Sequence, residues 1–257
     1  MDRLLHGHKL AASATQSRSS IVTIIETELD ALAQKRVGYR QGGGAASTSV
    51  ILGQGSVGLP APTVSGAPTL VTDTDGSWIN YATGTALDAI AGHNFGSHTD
   101  LRLDTQTDLF FLMKTGPAAT DVTDVRILVG ARSVVLSASV GDADPGSIDS
   151  LLFRYSTSAG DTTFKTKSRA SDGVGGNETV KDTGVPIALD TIYVFRIDGR
   201  DAANVKYYIN GVLVSTHTSS DFLPTATIGM SGQWKIHNLS AGTARNMKWK
   251  KYYQISN

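Results

Sequence analysis

The carboxylates of this sequence are the first residues to test for chemistry, because hydrolysis of a glycosidic bond normally needs two of them flanking that bond. Glutamate occurs three times, as Glu26, Glu28 and Glu178, and only Glu178 falls in the part of the chain that is rich in β-forming residues. Aspartate is abundant but lies mostly in turn-like contexts such as Asp142-Ala143-Asp144-Pro145-Gly146, where its side chain bonds to the backbone. The sequence therefore predicts no catalytic residues.

The histidines, at positions 6, 8, 93, 98, 217 and 237, form no His-Glu-x-x-His motif that would bind zinc. His6 and His8 could hold a metal ion, but a solvated arm is the stronger interpretation of that segment. His217 follows Ser215 and lies near Asp221, yet no sharp strand-to-helix turn presents a nucleophile there. We therefore interpret His217 as a histidine at the end of a strand.

Two further segments resemble parts of loops that bind ligands, one a calcium loop and the other a phosphate-binding loop. Asp73-Thr74-Asp75-Gly76-Ser77 places oxygen atoms at alternate positions with a glycine for the bend, as the first half of a calcium loop does. The distal glutamate of such a loop is missing, and a β-turn between two strands explains the same residues. Gly173-Val174-Gly175-Gly176-Asn177 precedes no helix, so we interpret it as a hairpin tip rather than a phosphate site. The sequence predicts no metal ion and no cofactor.

A basic and aromatic segment near the carboxyl end could bind nucleic acid. It comprises Arg245, Lys248, Lys250 and Lys251 with Trp249, Tyr252 and Tyr253. The alternative is an edge strand whose lysines oppose aggregation. Lysine and arginine number 23 against 23 acidic residues, a formal net charge of +0, so no overall field attracts a polyanion. We therefore favour the edge strand and expect no nucleic-acid partner.

Composition narrows the class of protein further. There is no cysteine, which excludes disulfides, cysteine-bound zinc and a thiol nucleophile. No stretch approaches the roughly 20 apolar residues of a membrane span, so membrane insertion is not expected. Residues 1–10 contain one pair of adjacent leucines before polar residues, too little for the apolar core of a secretory signal. We expect synthesis in the cytoplasm without a signal peptide.

The strongest local structural signal is the dipeptide Asn210-Gly211 between two β-rich runs, residues 205–209 and 212–214. Both residues tolerate positive φ, so a two-residue type I′ turn is predicted to close a tight hairpin there. Aromatic and β-branched side chains then meet across the two strands, which stabilises antiparallel pairing. The predicted pairs are Ile209 with Val212, Tyr208 with Leu213, and Tyr207 with Val214.

Short runs of β-forming residues, separated by clusters of Gly, Asp, Asn and Ser, recur from residue 69 onward. This cadence is typical of a sandwich or jelly roll. The run Leu109-Phe110-Phe111-Leu112-Met113 is apolar at every position and is predicted to be a central strand covered on both faces. The predicted fold class is mainly β, an antiparallel jelly-roll sandwich over residues 69–257. The other predicted strands are 69–72, 78–82, 101–103, 125–129, 134–140, 151–157, 162–169, 179–181, 192–198, 205–209, 212–217, 225–230 and 247–255.

Residues 1–41 are predicted to form an irregular arm and a short amphipathic α-helix that ends by Gly38. The helix carries an apolar seam at the 3-4-3 spacing of a coiled coil, formed by Val22, Ile25, Leu29 and Leu32. So short a helix is not stable alone in water, and it either packs on its own chain or joins copies of itself. The seam is the predicted site of oligomerisation or attachment. Residues 42–68, rich in Gly, Ala and Pro, form the predicted linker.

The segment Tyr193-Val194-Phe195-Arg196-Ile197-Asp198, the hairpin at Asn210-Gly211 and the pair Leu223-Pro224 resemble concanavalin A-like (laminin G-like) sandwich domains, in particular those of bacteriophage virion structural proteins. The resemblance covers roughly residues 69–257. It implies a non-enzymatic spike, fibre or decoration protein on the surface of a tailed phage particle, docked on capsid or tail proteins through its amino-terminal segment. A homo-oligomer is expected, and a trimer would let a short seam bury itself. No calcium or sugar ligands carry over, because no matching motif is present.

The alternative function is a carbohydrate-binding module or host-glycan adhesin, in which exposed aromatic residues such as Trp78, Trp234 or Tyr252 stack on sugar faces. The same residues could equally belong to the core, since tryptophan is highly buried on average. A third hypothesis is a glycoside hydrolase or lyase that acts through Glu178 and aspartates of the turns.

Overall fold

The computed structural model describes residues 37–41, 63–65, 69–95, 101–133, 148–171 and 177–255. Two antiparallel sheets pack face to face, so the predicted mainly β sandwich is confirmed. The predicted helix and its seam, Val22, Ile25, Leu29 and Leu32, lie outside the described residues. In the described ranges, no helix is long and apolar enough to cross a membrane.

The strands are β1 (Val37–Gln41), β2 (Thr63–Ser65), β3 (Thr69–Asp73), β4 (Gly76–Ala82), β5 (Ile90–Phe95), β6 (Thr107–Thr115), β7 (Val125–Arg132), β8 (Ser150–Ser156), β9 (Thr163–Arg169), β10 (Glu178–Pro186), β11 (Ile192–Gly199), β12 (Asn204–Ile209), β13 (Val212–Thr218), β14 (Ser231–Asn238) and β15 (Asn246–Ile255). Short 3-10 turns occur at Leu103–Thr105, Ala119–Asp121 and Thr157–Ala159.

One sheet has eight strands, in the order β13-β12-β11-β6-β15-β4-β3, with β1 paired to β15. The other has seven, in the order β10-β9-β8-β7-β14-β5-β2. The middle of each sheet joins strands that are distant in sequence, β11 with β6 and β6 with β15 in one, β7 with β14 in the other. Local turn signals therefore specify the hairpins at the sides of the sheets but not their centres.

Alternation along each strand fills the space between the sheets with apolar side chains. Phe153 of the seven-stranded sheet lies 4.8 Å from Phe195 and 5.3 Å from Tyr207 of the other sheet, measured between ring centroids. Phe164 contacts Phe195 edge to face at 5.1 Å. Such aromatic pairs add to the free energy gained from burial alone. They fix how the two sheets face each other.

Strand β6 is covered on both faces, as its sequence predicts. Phe111 and Met113 lie in the main core between the sheets. Leu112 points to the opposite face, where it packs with Trp78 and Val194 in a second, small apolar cluster. The eight-stranded sheet therefore buries apolar side chains on its outer face as well.

The predicted hairpin is present, with one correction to its register. Asn210 has φ 51° and Gly211 φ 79°, the two positive values that a type I′ turn requires. Ile209 faces Val212 and Tyr208 faces Leu213, as predicted. Tyr207, however, faces Ser215 rather than Val214, because a bulge between Tyr207 and Tyr208 adds a residue to β13.

The strand pattern missed two interior strands, β5 and β14, because polar residues and glycines interrupt both of them. The predicted strand 225–230 is wrong. It is irregular apart from a bridge between Met230 and Leu101. The predicted strand 101–103 is likewise reduced to that bridge followed by a 3-10 turn. The predicted strand 134–140 lies outside the described residues.

Two short strands come from segments placed by the sequence pattern in the arm and the linker. Residues 37–41 form β1, which pairs with residues 251–255 of β15. Residues 63–65 form β2, which pairs with β5 at the edge of the seven-stranded sheet. The sandwich thus includes residues that precede position 69.

Candidate functional site

The tryptophans proposed as sugar-stacking platforms are core residues instead. Trp78 is 1% exposed and packs with Leu112 and Val194 on the outer face of the eight-stranded sheet. Trp234 is fully buried between the sheets and meets Tyr81 edge to face at a centroid distance of 4.8 Å. The side chain of Tyr252 lies outside the described residues. Neither tryptophan can stack on a sugar at the surface.

His217 is a structural histidine near the end of β13. The side-chain oxygens of Thr166 and Ser168 lie 2.9 Å from its Nε2 and 2.7 Å from its Nδ1. Burial, and then the nearby Lys181 ammonium, lower the pKa of His217 to about 4, so the ring is neutral at pH 7. The carboxylate of Asp221 binds Lys181 at 2.7 Å rather than the imidazole. A Ser-His-Asp arrangement is therefore not formed.

The Asp73–Ser77 segment is the turn between β3 and β4, as its alternative interpretation predicts. Asp73 accepts hydrogen bonds from Lys114 at 2.9 Å and Lys248 at 2.7 Å, and Asp75 accepts one from Lys114 at 2.7 Å. The oxygen atoms that a calcium ion would need are thus bonded to lysine ammonium groups. The same contacts keep Asp73 ionised, with its pKa well below the ordinary range despite partial burial.

The carboxyl-terminal basic segment is not an edge strand. β15 lies inside the eight-stranded sheet, between β6 and β4, so the edge-strand interpretation is wrong. Arg245 is buried, Lys248 binds Asp73 and Trp249 lies in the core. The side chains of residues 250–255 lie outside the description.

A buried cluster of cationic and amide side chains lies on the outer face of the seven-stranded sheet. Trp234 and Ile236 of β14 point into the core, so Gln233 and Lys235 point outward. Phe164 of β9 points inward, which turns Lys167 and Arg169 outward by the same alternation. We call the following group the basic face: Asn94, Arg132, Lys167, Arg169, Gln233 and Lys235.

Every member of the basic face is at most 2% exposed. Lysine and arginine are almost never fully buried, because removing their charge from water is costly. A sandwich gains no stability from placing such residues on an outer face, where apolar side chains would pack at lower cost.

The basic face is held together by short-range contacts. Lys167 and Arg169 share one carboxylate oxygen of Glu178, at 2.8 Å and 3.5 Å. Gln233 donates its amide N–H to the Asn94 side-chain oxygen at 3.3 Å, and Ser231 donates to the same atom at 2.8 Å. Glu178 is thus a salt-bridge partner of β9, which assigns a structural role to the single glutamate of the β-region.

The strand register places the cations close to one another across the sheet. Arg169 and Arg132 both pair with Ser150 of β8, one on each side, so their Cα atoms lie about 10 Å apart. Gln233 pairs with Asn94 one row along, and Lys235 follows it on β14. Glu178 and Asp149 are carboxylates beside these cations. Burial raises the pKa of Asp149.

At the opposite end of the same outer face, charged side chains also lie beside nearby partners. Arg154 makes a two-pronged contact with Asp161 at 3.0 Å and 3.1 Å. His237 lies between Arg126 at 2.8 Å and Asp88 at 3.0 Å, and its pKa is lowered by burial and then by Arg126.

The alternating sequence of β9 was an ambiguous signal for this cluster. Residues 163–169 read Thr-Phe-Lys-Thr-Lys-Ser-Arg, an alternation that ordinarily marks a solvent-facing side of a strand. Nothing in that alternation indicates that the lysines are buried. Chemically, the assembled group brings together ammonium, guanidinium and amide N–H donors, but at most 2% exposure keeps them out of reach of a ligand from solvent.

No family model matches the sequence, and no curated protein matches it. Solved structures match the fold. The carbohydrate recognition domain of Emp47p matches with a TM-score of 0.56 at 10% identity, covering 85% of this chain and 95% of that one. An endo-β-1,4-glucuronan lyase from the fungus Trichoderma reesei matches with a TM-score of 0.52 at 10% identity, covering 85% and 94%.

A botulinum neurotoxin type C structure, from work on cell entry that depends on two ganglioside molecules, matches with a TM-score of 0.52 at 9% identity. The match covers 88% of this chain but 49% of that one, so this chain spans about half the length of the toxin chain. At such identities the likeness concerns the fold. It defines the class: a lectin-like β-sandwich of the concanavalin A-like type.

Proposed function

We propose that this protein binds carbohydrate. The observation that carries the proposal is the fold, a lectin-like sandwich of two antiparallel sheets. The fold is shared with a carbohydrate recognition domain, a glucuronan lyase and a ganglioside-dependent toxin, which supports the choice of ligand.

A glycan array probed with the full chain tests this proposal. We expect binding to a restricted set of glycans. Absence of binding to every glycan would remove the proposal.

We propose that the action is binding rather than catalysis. Because the fold is similar to that of a lyase, enzymatic activity is the alternative, and this alternative can be tested directly. Glu178 already forms ion pairs with Lys167 and Arg169, so Glu178→Gln should lower the free energy of unfolding. It should not abolish cleavage of a polysaccharide. Release of unsaturated or reducing ends from a bound polysaccharide by the natural protein would overturn the non-enzymatic proposal.

A place on a phage particle is a second proposal, supported by the apolar seam Val22, Ile25, Leu29 and Leu32 and by the path of β1. Val37 pairs with Ile255, so the chain enters the sandwich beside its carboxyl-terminal strand. An attached amino-terminal segment would hold the sandwich by that end. Co-sedimentation with phage particles, for the full chain and for a form lacking residues 1–36, tests this. Loss of binding in the shorter form is expected, and no binding by either form contradicts attachment.

A further inference from the structure

We infer that Phe222 is a sugar-binding residue whose phenyl ring stacks on the apolar face of a neutral sugar. This inference rests on the proposed carbohydrate binding and names the residue and the class of glycan. Phe222 lies in the loop that follows β13 and is 42% exposed. The other large hydrophobic residues that are exposed in the described ranges, such as Leu213, are aliphatic. Phe222 therefore places an aromatic ring where a ligand from solvent can reach it.

The backbone at Phe222 makes a phenyl group an unfavourable choice. Its φ is 50°, in the left-handed region, where the Cβ crowds the following carbonyl oxygen and where glycine or asparagine is usual. A bulky residue in this region is a genuine outlier, and such conformations cluster at active sites and ligand clamps. The exposed ring also gains little free energy from burial. Neither the turn nor the core therefore explains why a phenylalanine occupies this position.

The residues on either side of Phe222 fix its backbone. Asp221 donates its backbone N–H to the Thr218 carbonyl at 2.8 Å. The Asp221 carboxylate accepts hydrogen bonds from the Thr218 backbone N–H and the Lys181 ammonium group, each at 2.7 Å. On the other side of Phe222, Leu223 packs against the core. The loop thus presents the ring from an ordered backbone, which reduces the entropy lost when a ligand binds.

The surroundings of the ring suit a neutral sugar. A pyranose carries C–H groups on one face, which pack against an aromatic ring, and hydroxyls around its rim. Ser219 and Ser220 are exposed in the same loop, and their hydroxyls can both donate and accept hydrogen bonds. The charge of Asp221 is balanced by Lys181 at 2.7 Å, so the loop does not favour an ionic ligand. One ring among hydroxyls is also too small an apolar area to anchor the chain in a lipid surface.

The test compares two substitutions of Phe222 in the full chain. Phe222→Tyr keeps an aromatic ring, whereas Phe222→Asn removes the ring and suits the left-handed conformation. Calorimetry measures binding to lactose, cellotetraose and any other neutral glycan that the natural protein binds on the array. We expect Phe222→Asn to weaken binding about tenfold and Phe222→Tyr to change it by less than about threefold. The Phe222→Asn protein should melt no lower than the natural one, because the substitution relieves backbone strain.

Leu213→Thr is the matched control, because it removes an apolar side chain of similar exposure, 49%, from β13. Unchanged affinity in Phe222→Asn, or an equal loss in Leu213→Thr, would overturn the inference while leaving carbohydrate binding intact. Array binding confined to acidic glycans would do the same. A lower melting temperature for Phe222→Asn would overturn it because the ring would then serve the fold.

A lipid surface is the remaining alternative partner for an exposed ring. Binding of the natural protein to phosphatidylcholine vesicles, lost in Phe222→Asn, would show that the ring inserts into lipid and would overturn the inference. We expect no such binding. Failure of the natural protein to bind any glycan would remove the proposed function and this inference with it.

Discussion

Buried charges are arranged differently on the two outer faces of this sandwich. On the eight-stranded sheet, Lys114 is fully buried but lies 2.9 Å from Asp73, 2.7 Å from Asp75 and 2.9 Å from Asp190. Despite burial, these carboxylates raise the pKa of Lys114, so it stays charged. The lysine ties the β3–β4 turn and the residue-190 turn to the middle of the sheet. That charge cluster connects turns to a strand, whereas in the basic face Lys167 and Arg169 share the carboxylate of Glu178.

Replacing Lys114 by Met should lower the free energy of unfolding by about 2 to 4 kcal/mol, because three carboxylates lose their shared cation. Urea unfolding at neutral pH measures the change. Lys206→Met removes an exposed lysine of the same sheet and should alter stability by less than about 0.5 kcal/mol. Similar values for the two variants would show that the Lys114 contacts contribute nothing.

His217 predicts a pH dependence of stability. Its pKa is about 4 in the folded protein and near 6.5 when unfolded, so the unfolded chain binds the proton more tightly. The contribution is fully present above pH 6.5 and is lost as the pH falls from 6.5 through 4. The loss should be on the order of 2 kcal/mol.

The measurement is the difference in unfolding free energy between the natural protein and His217→Gln across that pH range, which cancels the titration of other groups. A difference that stays constant from pH 7 to pH 4 would show that folding does not shift the pKa of His217.

At the scale of elements, the β12–β13 hairpin is set by local chemistry and tied into the sheet by one side chain. Asn210 accepts the backbone N–H of Val194 on its side-chain oxygen at 2.8 Å and donates its own N–H to the Val194 carbonyl at 2.8 Å. The turn residue therefore continues the pairing of β11 beyond the end of β12. A residue chosen for its turn conformation also holds a neighbouring strand.

Gly211→Ala should destabilise the protein by about 1 to 2 kcal/mol, because Gly211 has φ 79° and a Cβ is unfavourable in the left-handed region. Thermal or urea unfolding gives the value. Gly84→Ala is the control: its added Cβ would meet the Ala89 Cβ at 3.4 Å, an ordinary contact, so little change is expected. A larger loss at Gly84 than at Gly211 would contradict the turn assignment.

At the scale of the whole molecule, β1 links the amino-terminal segment to the sandwich. It pairs with the second half of β15, while β4 pairs with the first half. Residues 37–41 are thus part of the folded body. Any function of residues 1–36, including oligomerisation through the seam at Val22, Ile25, Leu29 and Leu32, can be tested without removing this strand.

Two truncations separate the two roles proposed for the seam. If the seam joins copies of the chain, mass measurement should give a trimer for the full chain and a monomer for the form lacking residues 1–36, with a similar melting temperature. A form lacking residues 1–41 should melt lower, because β15 loses its partner β1. A monomeric full chain whose melting temperature falls on removal of residues 1–36 would show instead that the helix packs on its own sandwich.

The amino-acid sequence determined the features that depend on neighbours along the chain. Period-two alternation predicted most strands and the sandwich class, and the dipeptide Asn210-Gly211 predicted its turn because both residues accept positive φ. The apolar run at residues 109–113 predicted a strand covered on both faces. Each of these follows from the chemistry of a few consecutive residues.

The tertiary structure decided which strands meet and what becomes buried. β14 was missed because Gly, Gln and Lys alternate with its two core residues, Trp234 and Ile236, so its composition resembles a loop. Its place between β7 and β5 comes from pairing with strands far away in sequence. Burial of Lys167 and Lys235 likewise depends on groups brought over them by the fold. Such long-range contacts leave no local pattern, and so the candidate site became visible only in three dimensions.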